Sequence, residues 1–290
     1  MSELVIQLLN SLYYASTLFL LACGLTLIYG VMRIVNLAHG TLYALGAYVT
    51  AGAVLTLGAE HPLALYLVMP IGAVAAALTG AVIEPSLLRP LYRRPEEYQL
   101  LVTFGLLLIL EDVMRFLWGA LPLSPSAPAD HLGSITILDA TYPNYNFLVI
   151  GVGALAAAVL WAFVYRTKFG VILRATSQDM RMTSALGVDA RRVYVLAFTI
   201  GCFLAGLGGA IIVPISGAAL GMGVDALILA FVVVVVGGLG SLEGALVGSL
   251  IVGVFRTLGV NYFPEAELAI LYLITAVVLL VRPTGLFGSA

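Results

Sequence analysis

The chain has 290 residues, of which 62% are hydrophobic and 10% charged, and its mean hydropathy is +1.10. Soluble globular proteins carry about 25% charged residues, so this composition excludes a soluble globule and indicates an integral membrane protein. The formal net charge of −2 gives no indication of a nucleic-acid partner. We therefore predict an all-α polytopic membrane protein, with residues 1–290 forming a single transmembrane domain.

Runs of about 20 apolar residues are long enough to cross a hydrocarbon core of roughly 30 Å. The first run follows Met1-Ser2-Glu3, which lacks the basic start of a signal peptide, so we expect a retained span. Cys23 and Cys202 both lie in apolar runs and are expected to be small buried hydrophobes. The sequence predicts spans near 5–30, 41–58, 63–84, 99–119, 146–165, 192–213 and 266–282.

The segment from Arg33 to Gly40 interrupts the first apolar region with polar residues. Asn36 can cap the helix that follows, and Gly40 allows a close approach between backbones. His39 can bond a neighbouring helix, or a helix that begins here can direct its dipole at a carboxylate in a pathway. We therefore take Asn36, His39 and Tyr43 as candidates that line or shape a translocation path.

Three ionisable residues, Glu111, Asp112 and Arg115, fall inside the apolar run 99–119. Their spacing lets one helical face hold all three. A charge at the bilayer centre costs roughly 2.5–3.5 kcal/mol, and pairing lowers that cost. The cluster is either a polar lining of the translocation path or a structural ion pair near the outer interface, where Trp118 marks the end of the span.

The polar loop 166–191 carries five basic residues and is predicted to couple the protein to a partner. Residues 175–189 are typical of a short amphipathic helix, with Ser177 as its N-cap and Gly187 as its C-terminal stop. Such a helix either docks into a groove on another protein or rests on lipid headgroups. The predicted coupling residues are Asp179, Met180, Arg181, Thr183, Ser184, Ala185, Leu186 and Gly187.

The stretch 225–258 is apolar but interrupted. Its first run, Ala226 to Val236, is short for a crossing, and a glycine-rich break at 237–241 precedes a second run. The pattern predicts either two short crossings or a re-entrant pair of half-helices, whose irregular backbone lies in protein or beside a water-filled cavity.

Small residues recur at intervals of four in this region. Gly240, Gly244 and Gly248 follow this spacing, which lets helices approach closely in lipid. The spacing fits helix packing within one subunit and packing between two subunits equally well.

Nine of the thirteen basic residues lie in two polar gaps, whereas the gaps at 58–62, 120–144 and 214–224 hold none. Short loops rich in Lys and Arg stay on the cytoplasmic side of a membrane. Counting spans from these two gaps places the N-terminus outside and leaves Arg256, near the outer end of its segment, as an exception. The nine residues are Arg89, Arg93, Arg94, Arg166, Lys168, Arg174, Arg181, Arg191 and Arg192.

Several short blocks of sequence, in order along nearly the whole chain, carry a family resemblance. They are Tyr29-Gly30, Asn36-Leu37-Ala38-His39-Gly40, Gly46-Ala47-Tyr48, Leu110-Glu111, Arg115, Trp118-Gly119, Gly237 to Gly244 and Arg282 to Gly288. With Ala185 to Val188 and the following Arg191-Arg192-Val193, they resemble the branched-chain amino-acid permeases of ABC importers. Leu37 replaces a common Phe, which is a mild departure. Because no long extension precedes the first block, the chain resembles the H-type subunit more than its M-type partner.

The resemblance implies a type II ABC importer permease-like fold with about eight membrane segments, including the interrupted pair. It implies a multi-pass protein of a bacterial or archaeal plasma (inner) membrane that translocates leucine, isoleucine and valine, or related small polar solutes. The implied partners are a homologous M-type permease subunit, two ATP-binding cassette subunits, a periplasmic or extracellular solute-binding protein, and membrane lipid.

The chain itself is expected to be neither an enzyme nor the holder of a cofactor. A P-loop needs Gly-Lys-Ser/Thr, but the only lysine, Lys168, lies between Thr167 and Phe169. ATP and Mg would therefore be used by a partner subunit. A membrane-embedded enzyme is disfavoured because the three histidines lie far apart and no span carries a catalytic set. A stand-alone secondary transporter or channel for small solutes remains the alternative.

Overall fold

The computed structural model describes residues 2–57, 62–92, 94–137 and 140–288, and the predicted loop residue Arg93 lies outside these ranges. The first half of the chain forms a series of long helices joined by short connections. These are α1 (Ser2–Met32), α2 (His39–Leu57), α3 (Pro62–Ile83), α4 (Glu96–Trp118), the short α5 (Ala127–Leu132) and α6 (Asn144–Arg166).

The second half continues the helical pattern, and one small β-hairpin precedes α6. Its strands, β1 (Ser134–Ile137) and β2 (Ala140–Pro143), pair antiparallel, so the all-α prediction misses this outer hairpin. The remaining helices are α7 (Lys168–Gln178), α8 (Met180–Ala185), α9 (Ala190–Ser216), α10 (Met222–Gly237), α11 (Leu242–Tyr262) and α12 (Glu267–Val281).

Six described helical segments are long and apolar enough to cross a membrane, and α2, α4 and α10 lie among them in the same bundle. The predicted all-helical polytopic membrane protein is therefore confirmed. Among the described residues, six helical segments meet the criteria of length and apolarity, and adding α2, α4 and α10 gives nine. The predicted number of about eight membrane segments lies between these two counts. The six are Glu3–Met32, Tyr66–Leu91, Asn144–Arg166, Ala190–Ser216, Leu242–Tyr262 and Pro264–Val281.

The ends of these helices meet in two groups. Tyr165 at the end of α6 hydrogen-bonds to Glu243 at the start of α11, and Tyr92, just after α3, packs on Tyr194 of α9. This group also contains α7 and α8, and we call it the basic end. At the opposite end, Leu123, which follows α4, pairs with Ala218, which follows α9. The positive-inside rule predicts that the basic end is cytoplasmic.

Two helices occupy the centre of the bundle. Within its most apolar window, α1 is 83% buried by the rest of the protein, whereas α12 is only 6% buried. Helix α9 packs against α1, α2 and α3, and its Phe198 is fully buried. The remaining face of α12 is therefore available to lipid or to another subunit.

Glycines let α2 and α9 touch backbone to backbone. A Cβ atom added at Gly46 would overlap the backbone of Gly206, and a Cβ at Gly206 would come within 2.5 Å of the Ala76 side chain. In lipid, helices associate through such close packing because the surrounding tails are as apolar as the side chains.

The interrupted stretch forms two antiparallel helices that turn at the basic end. Gly237 of α10 lies directly against Gly244 of α11, and Gly248 lies against the backbone of Val233. Gly240, in the turn, touches Gly30 of α1. The predicted packing glycines thus make contacts inside this one chain.

We expect Gly46→Ala to lower the thermal stability of the detergent-solubilised protein, because the new methyl group would meet backbone atoms that cannot rotate away. Overpacking of this kind costs about 1–3 kcal/mol. Gly151→Ala is the matched control, since nothing lies within 4 Å of a Cβ at that exposed position of α6. Fluorescence-detected size-exclusion chromatography after a heat series measures both variants, and equal melting temperatures would contradict the packing described here.

Candidate functional site

The basic loop folds into two helices instead of the single predicted one. The chain breaks at Asp179, whose side chain accepts hydrogen bonds from the backbone N–H groups of Arg181 and Met182 at 2.8 and 3.0 Å. Asp179 is therefore the N-cap of α8, and the prediction of Ser177 as N-cap is wrong. Ser177 lies inside α7, where its hydroxyl donates to the Arg174 carbonyl.

Helix α8 ends at the predicted glycine. Gly187 has a φ of +88° and donates to the carbonyl of Ser184, while Val188 donates to the carbonyl of Thr183. This pair of bonds is a Schellman motif, which needs a left-handed residue that glycine adopts without strain. The motif fixes the exit of the chain toward α9.

Most of the predicted coupling residues lie on the surface. Leu186 is 79% exposed, and its apolar side chain has no cover within the described chain. Thr183 is the exception, because it is 5% exposed and its hydroxyl donates to the Asp179 carbonyl. The exposed members of the set are Asp179, Met180, Arg181, Ser184, Ala185, Leu186 and Gly187.

A chain of side-chain contacts joins α8 to the body of the protein. The Tyr194 hydroxyl donates to Met180 Sδ at 3.0 Å, and its ring packs edge-on against Tyr92, 5.3 Å between centroids. Tyr92 donates to the buried carboxylate of Glu84, which also pairs with Arg89 at 2.9 Å. Burial and then the hydrogen bond to Glu84 raise the pKa of Tyr92, so its hydroxyl stays a donor at neutral pH.

The polar segment after α1 turns back into the bundle. Arg33 has a φ of +53°, which is uncommon for a residue with a side chain and marks the reversal. Asn36 Oδ1 accepts from the backbone N–H of Ala38, the residue directly before α2, at 3.1 Å. His39 Nε2 lies 3.1 Å from the carbonyl oxygen of Leu21 in the middle of α1. Helix α2 therefore begins inside the bundle instead of at its cytoplasmic end.

Asn36 and His39 are fully buried and hold this turn in place. Asn36 Nδ2 and His39 Nδ1 have no hydrogen-bond partner among the described residues. Neither side chain lines the cavity between α1, α2, α9, α10 and α11.

A cavity of about 360 Å³ lies between α1, α2, α9, α10 and α11, toward the end opposite the basic end. Tyr43, one of the candidate path residues, lines this cavity, and charges of both signs reach it from α10 and α11. The full lining is Tyr13, Tyr14, Thr17, Leu18, Leu21, Tyr43, Ile212, Ile215, Ser216, Gly217, Ala219, Met222, Asp225, Ala226, Leu229 and Arg256.

Among the polar residues of this cavity that sequence reasoning missed are Tyr13, Asp225 and Arg256. They are far apart in sequence and meet only because α1, α10 and α11 pack together. One signal was present, since Arg256 was the basic residue that did not fit the positive-inside count.

The charged cluster on α4 lies apart from the cavity. Glu111 is half-buried, Asp112 and Arg115 are exposed, and none of the three lines the cavity. No ion pair within 4.0 Å joins these residues to one another in the part of the chain that the structure describes, so the alternative of a structural ion pair near the outer interface is not observed.

Metal ligands do not cluster in the described ranges, where no group of three or more His, Cys, Asp or Glu side chains could hold an ion. Cys23 and Cys202 are both free and fully buried, the burial that the sequence predicted. The candidate functional features of the described chain are the cavity and the exposed helix α8 at the basic end. A multi-pass helical bundle with these two features has the organisation of a membrane permease.

Comparison with known proteins gives the family. The model of the family described as "Branched-chain amino acid transport system / permease component" matches residues 7–281. The permease protein LivH of Salmonella typhimurium is 30% identical over 97% of this chain and 94% of LivH. BraD of Pseudomonas aeruginosa is 30% identical over 97% of this chain and 95% of BraD. The chain belongs to this family of ABC importer permeases, and the resemblance found in the sequence is confirmed.

A solved structure agrees with the fold. A chain of PsaBC from Streptococcus pneumoniae, determined in complex with Fab, superposes with a TM-score of 0.50 at 17% identity. The match covers 94% of this chain and 89% of that chain. With the family match, it confirms the predicted type II ABC importer permease fold.

Cysteine labelling tests the orientation. We expect Arg192→Cys, whose native side chain is 84% exposed at the basic end, to react with a membrane-impermeant maleimide only after cells are permeabilised. The control Leu121→Cys, at a position 80% exposed at the opposite end, should react in intact cells. Native Cys23 and Cys202 are buried and should not react with the maleimide. Labelling of Arg192→Cys in intact cells would overturn the assigned topology.

Proposed function

We propose that this chain is the H-type permease subunit of an ATP-driven importer that moves leucine, isoleucine and valine into the cytoplasm. The observation that best supports this proposal is the exposed helix α8 at the basic end of a chain that belongs to a permease family. LivH and BraD are named as parts of high-affinity branched-chain amino-acid transport systems, which supports the substrate class. The family favours this function over a stand-alone secondary transporter or channel.

In this proposal, α8 is the contact for an ATP-binding cassette subunit. Leu186 and Met182, 79% and 60% exposed, are apolar anchors of the kind that fill a groove on a partner. The transporter contains two such subunits, which bind ATP and Mg and hydrolyse the nucleotide, while this chain holds no cofactor. The Met180–Tyr194–Tyr92 contacts would carry their movement into α9 and α3.

The proposed solute path follows α1 and α10. The cavity lined by Tyr43, Asp225 and Arg256, which we call the outer cavity, lies along one half of these helices. A second cavity of about 710 Å³ lies along the other half, at the basic end. Between them, Leu25 of α1 and Val232 and Val233 of α10 are buried in one apolar cluster. Rocking α10 against α1 would open this barrier to one side at a time, as alternating access requires.

The remaining partners follow from the two faces of the transporter. A homologous M-type permease would complete the path, and a periplasmic or extracellular binding protein would deliver solute at the outer end, in a bacterial or archaeal plasma membrane. Asp112 and Arg115 are exposed on a membrane helix, where charges need a polar neighbour. We propose that they and Glu111 meet the path or the outer interface only in the assembled transporter.

Leu186→Asp tests the docking of the ATPase. Because the native side chain is exposed, we expect normal membrane insertion but loss of ATP-driven leucine uptake in proteoliposomes containing the whole transporter. Removing a central apolar anchor costs about 2 kcal/mol, or about 30-fold in affinity for the ATPase.

Leu121→Asp is the matched control, since Leu121 is equally exposed but lies at the opposite end of the bundle. It should insert and transport normally. Wild-type uptake by Leu186→Asp would show that α8 does not couple transport to ATP.

A further inference from the structure

The outer cavity carries opposite charges on two different helices. Asp225 lies in the first turn of α10, and Arg256 lies in the outer half of α11. Ionisable residues within membrane segments are costly, and they commonly mark a substrate path. Both residues line the same cavity.

Arg256 is held in place while part of its guanidinium stays free. Its Nε donates to the Glu267 carboxylate at 2.9 Å, and its Cζ lies 4.7 Å from the centre of the Tyr14 ring. The two terminal nitrogens make no hydrogen bond to any residue that the structure describes. A planar guanidinium fixed along one edge presents its remaining N–H groups to a carboxylate in a defined direction.

Two further polar groups at the cavity lack partners. Tyr13 is 6% exposed, and its hydroxyl is buried without a hydrogen bond within the described chain. Asp225 forms no ion pair with any residue in the described ranges. A buried hydroxyl without a partner costs about 1–3 kcal/mol, so a ligand that bonds to it would recover this energy.

The rest of the lining is mainly apolar. The cavity volume of about 360 Å³ falls in the range of about 300–1,000 Å³ that is usual for small-molecule sites. A few placed polar groups in an apolar wall suit a ligand with a charged head and an aliphatic tail. The apolar members are Leu18, Leu21, Ile212, Ile215, Met222, Ala226 and Leu229.

We propose that this cavity is the permease's own binding site for a zwitterionic aliphatic α-amino acid. Arg256 binds the ligand carboxylate, Asp225 binds its ammonium group, and the apolar wall holds its side chain. Tyr13 donates its hydroxyl to the carboxylate. The inference rests on the proposed import function and adds a site that selects for the zwitterion after solute has left the binding protein.

A competing interpretation assigns Arg256 only a structural role, as a brace between α11 and α12 through Glu267. The Glu267→Gln variant distinguishes a structural role of Arg256 from a ligand-binding role, because glutamine keeps an oxygen that accepts the Nε hydrogen bond but removes the ion pair. A structural brace would make Glu267→Gln as harmful as Arg256→Gln.

The test is thiol protection in the complete transporter. Ala226→Cys places a reactive thiol in the cavity wall, and native Cys23 and Cys202 are fully buried. We expect L-leucine to slow its modification by a small methanethiosulfonate reagent. Leucinamide lacks the carboxylate and 4-methylpentanoate lacks the ammonium group, so each should protect poorly.

Arg256→Gln in the Ala226→Cys background should raise the leucine concentration for half-protection by about 10- to 100-fold, as expected for loss of a hydrogen bond to a charged group. Glu267→Gln should change it by no more than about fivefold, as for a partly exposed ion pair.

Asp225→Asn should remove the advantage of leucine over 4-methylpentanoate. A merely structural role would not produce this change in selectivity. Because the Asp225 side chain is exposed, we expect Asp225→Asn to fold, so this variant still tests the site if Arg256→Gln fails to fold.

Leucine uptake by the wild-type transporter is measured in parallel. Uptake without protection, or protection that Asp225→Asn and Arg256→Gln leave unchanged, would overturn the site while the import function stands. Absence of leucine uptake by the wild type would overturn the import function itself.

Discussion

The architecture depends on glycines that allow helix backbones to touch. Helices in lipid gain little from burying apolar side chains against one another, so van der Waals packing at short range must hold them together. Along α9, Gly201 meets α1, Gly206 meets α3, and Gly209 meets α2 at Tyr43. Because one helix makes all three contacts, the positions of its three neighbours are fixed relative to each other, and so is the part of the cavity wall that α1 and α2 form.

This packing suits α9 to a mechanical role in the proposed transport cycle. Near the start of α9 at the basic end, Tyr194 contacts α8, the proposed coupling helix, and near its other end, Ile212 lines the outer cavity. These positions are about 27 Å apart at a rise of 1.5 Å per residue. A helix packed at backbone distance along its length moves as a rigid unit, since closely packed interfaces shift between discrete arrangements instead of deforming continuously. A displacement of α8 would therefore be transmitted by α9 to the residues that line the cavity, with little reduction in its size.

The sequence predicted the helices well but the cavity poorly, and the reason is the range of the interactions. Apolar run length and the break at 237–241 are local properties, and each predicted span matches a helix within a few residues. The capping of α8 is also local, but Ser177 and Asp179 compete for it, and pattern alone chose the wrong one. The cavity joins residues from five helices, so only tertiary packing reveals it.

The position of Arg256 shows how orientation and function compete in one residue. A guanidinium at the outer end of a segment works against the positive-inside bias that orients the rest of the chain. Its pairing with Glu267 and its contact with the Tyr14 ring reduce that cost. Lysine would supply the charge but not the planar fork, because its ammonium could not bond Glu267 along one edge and present further N–H groups along another. The outer arginine is therefore better explained by what it can bind than by membrane orientation, and the acidic residue that holds it lies on α12, the least buried span.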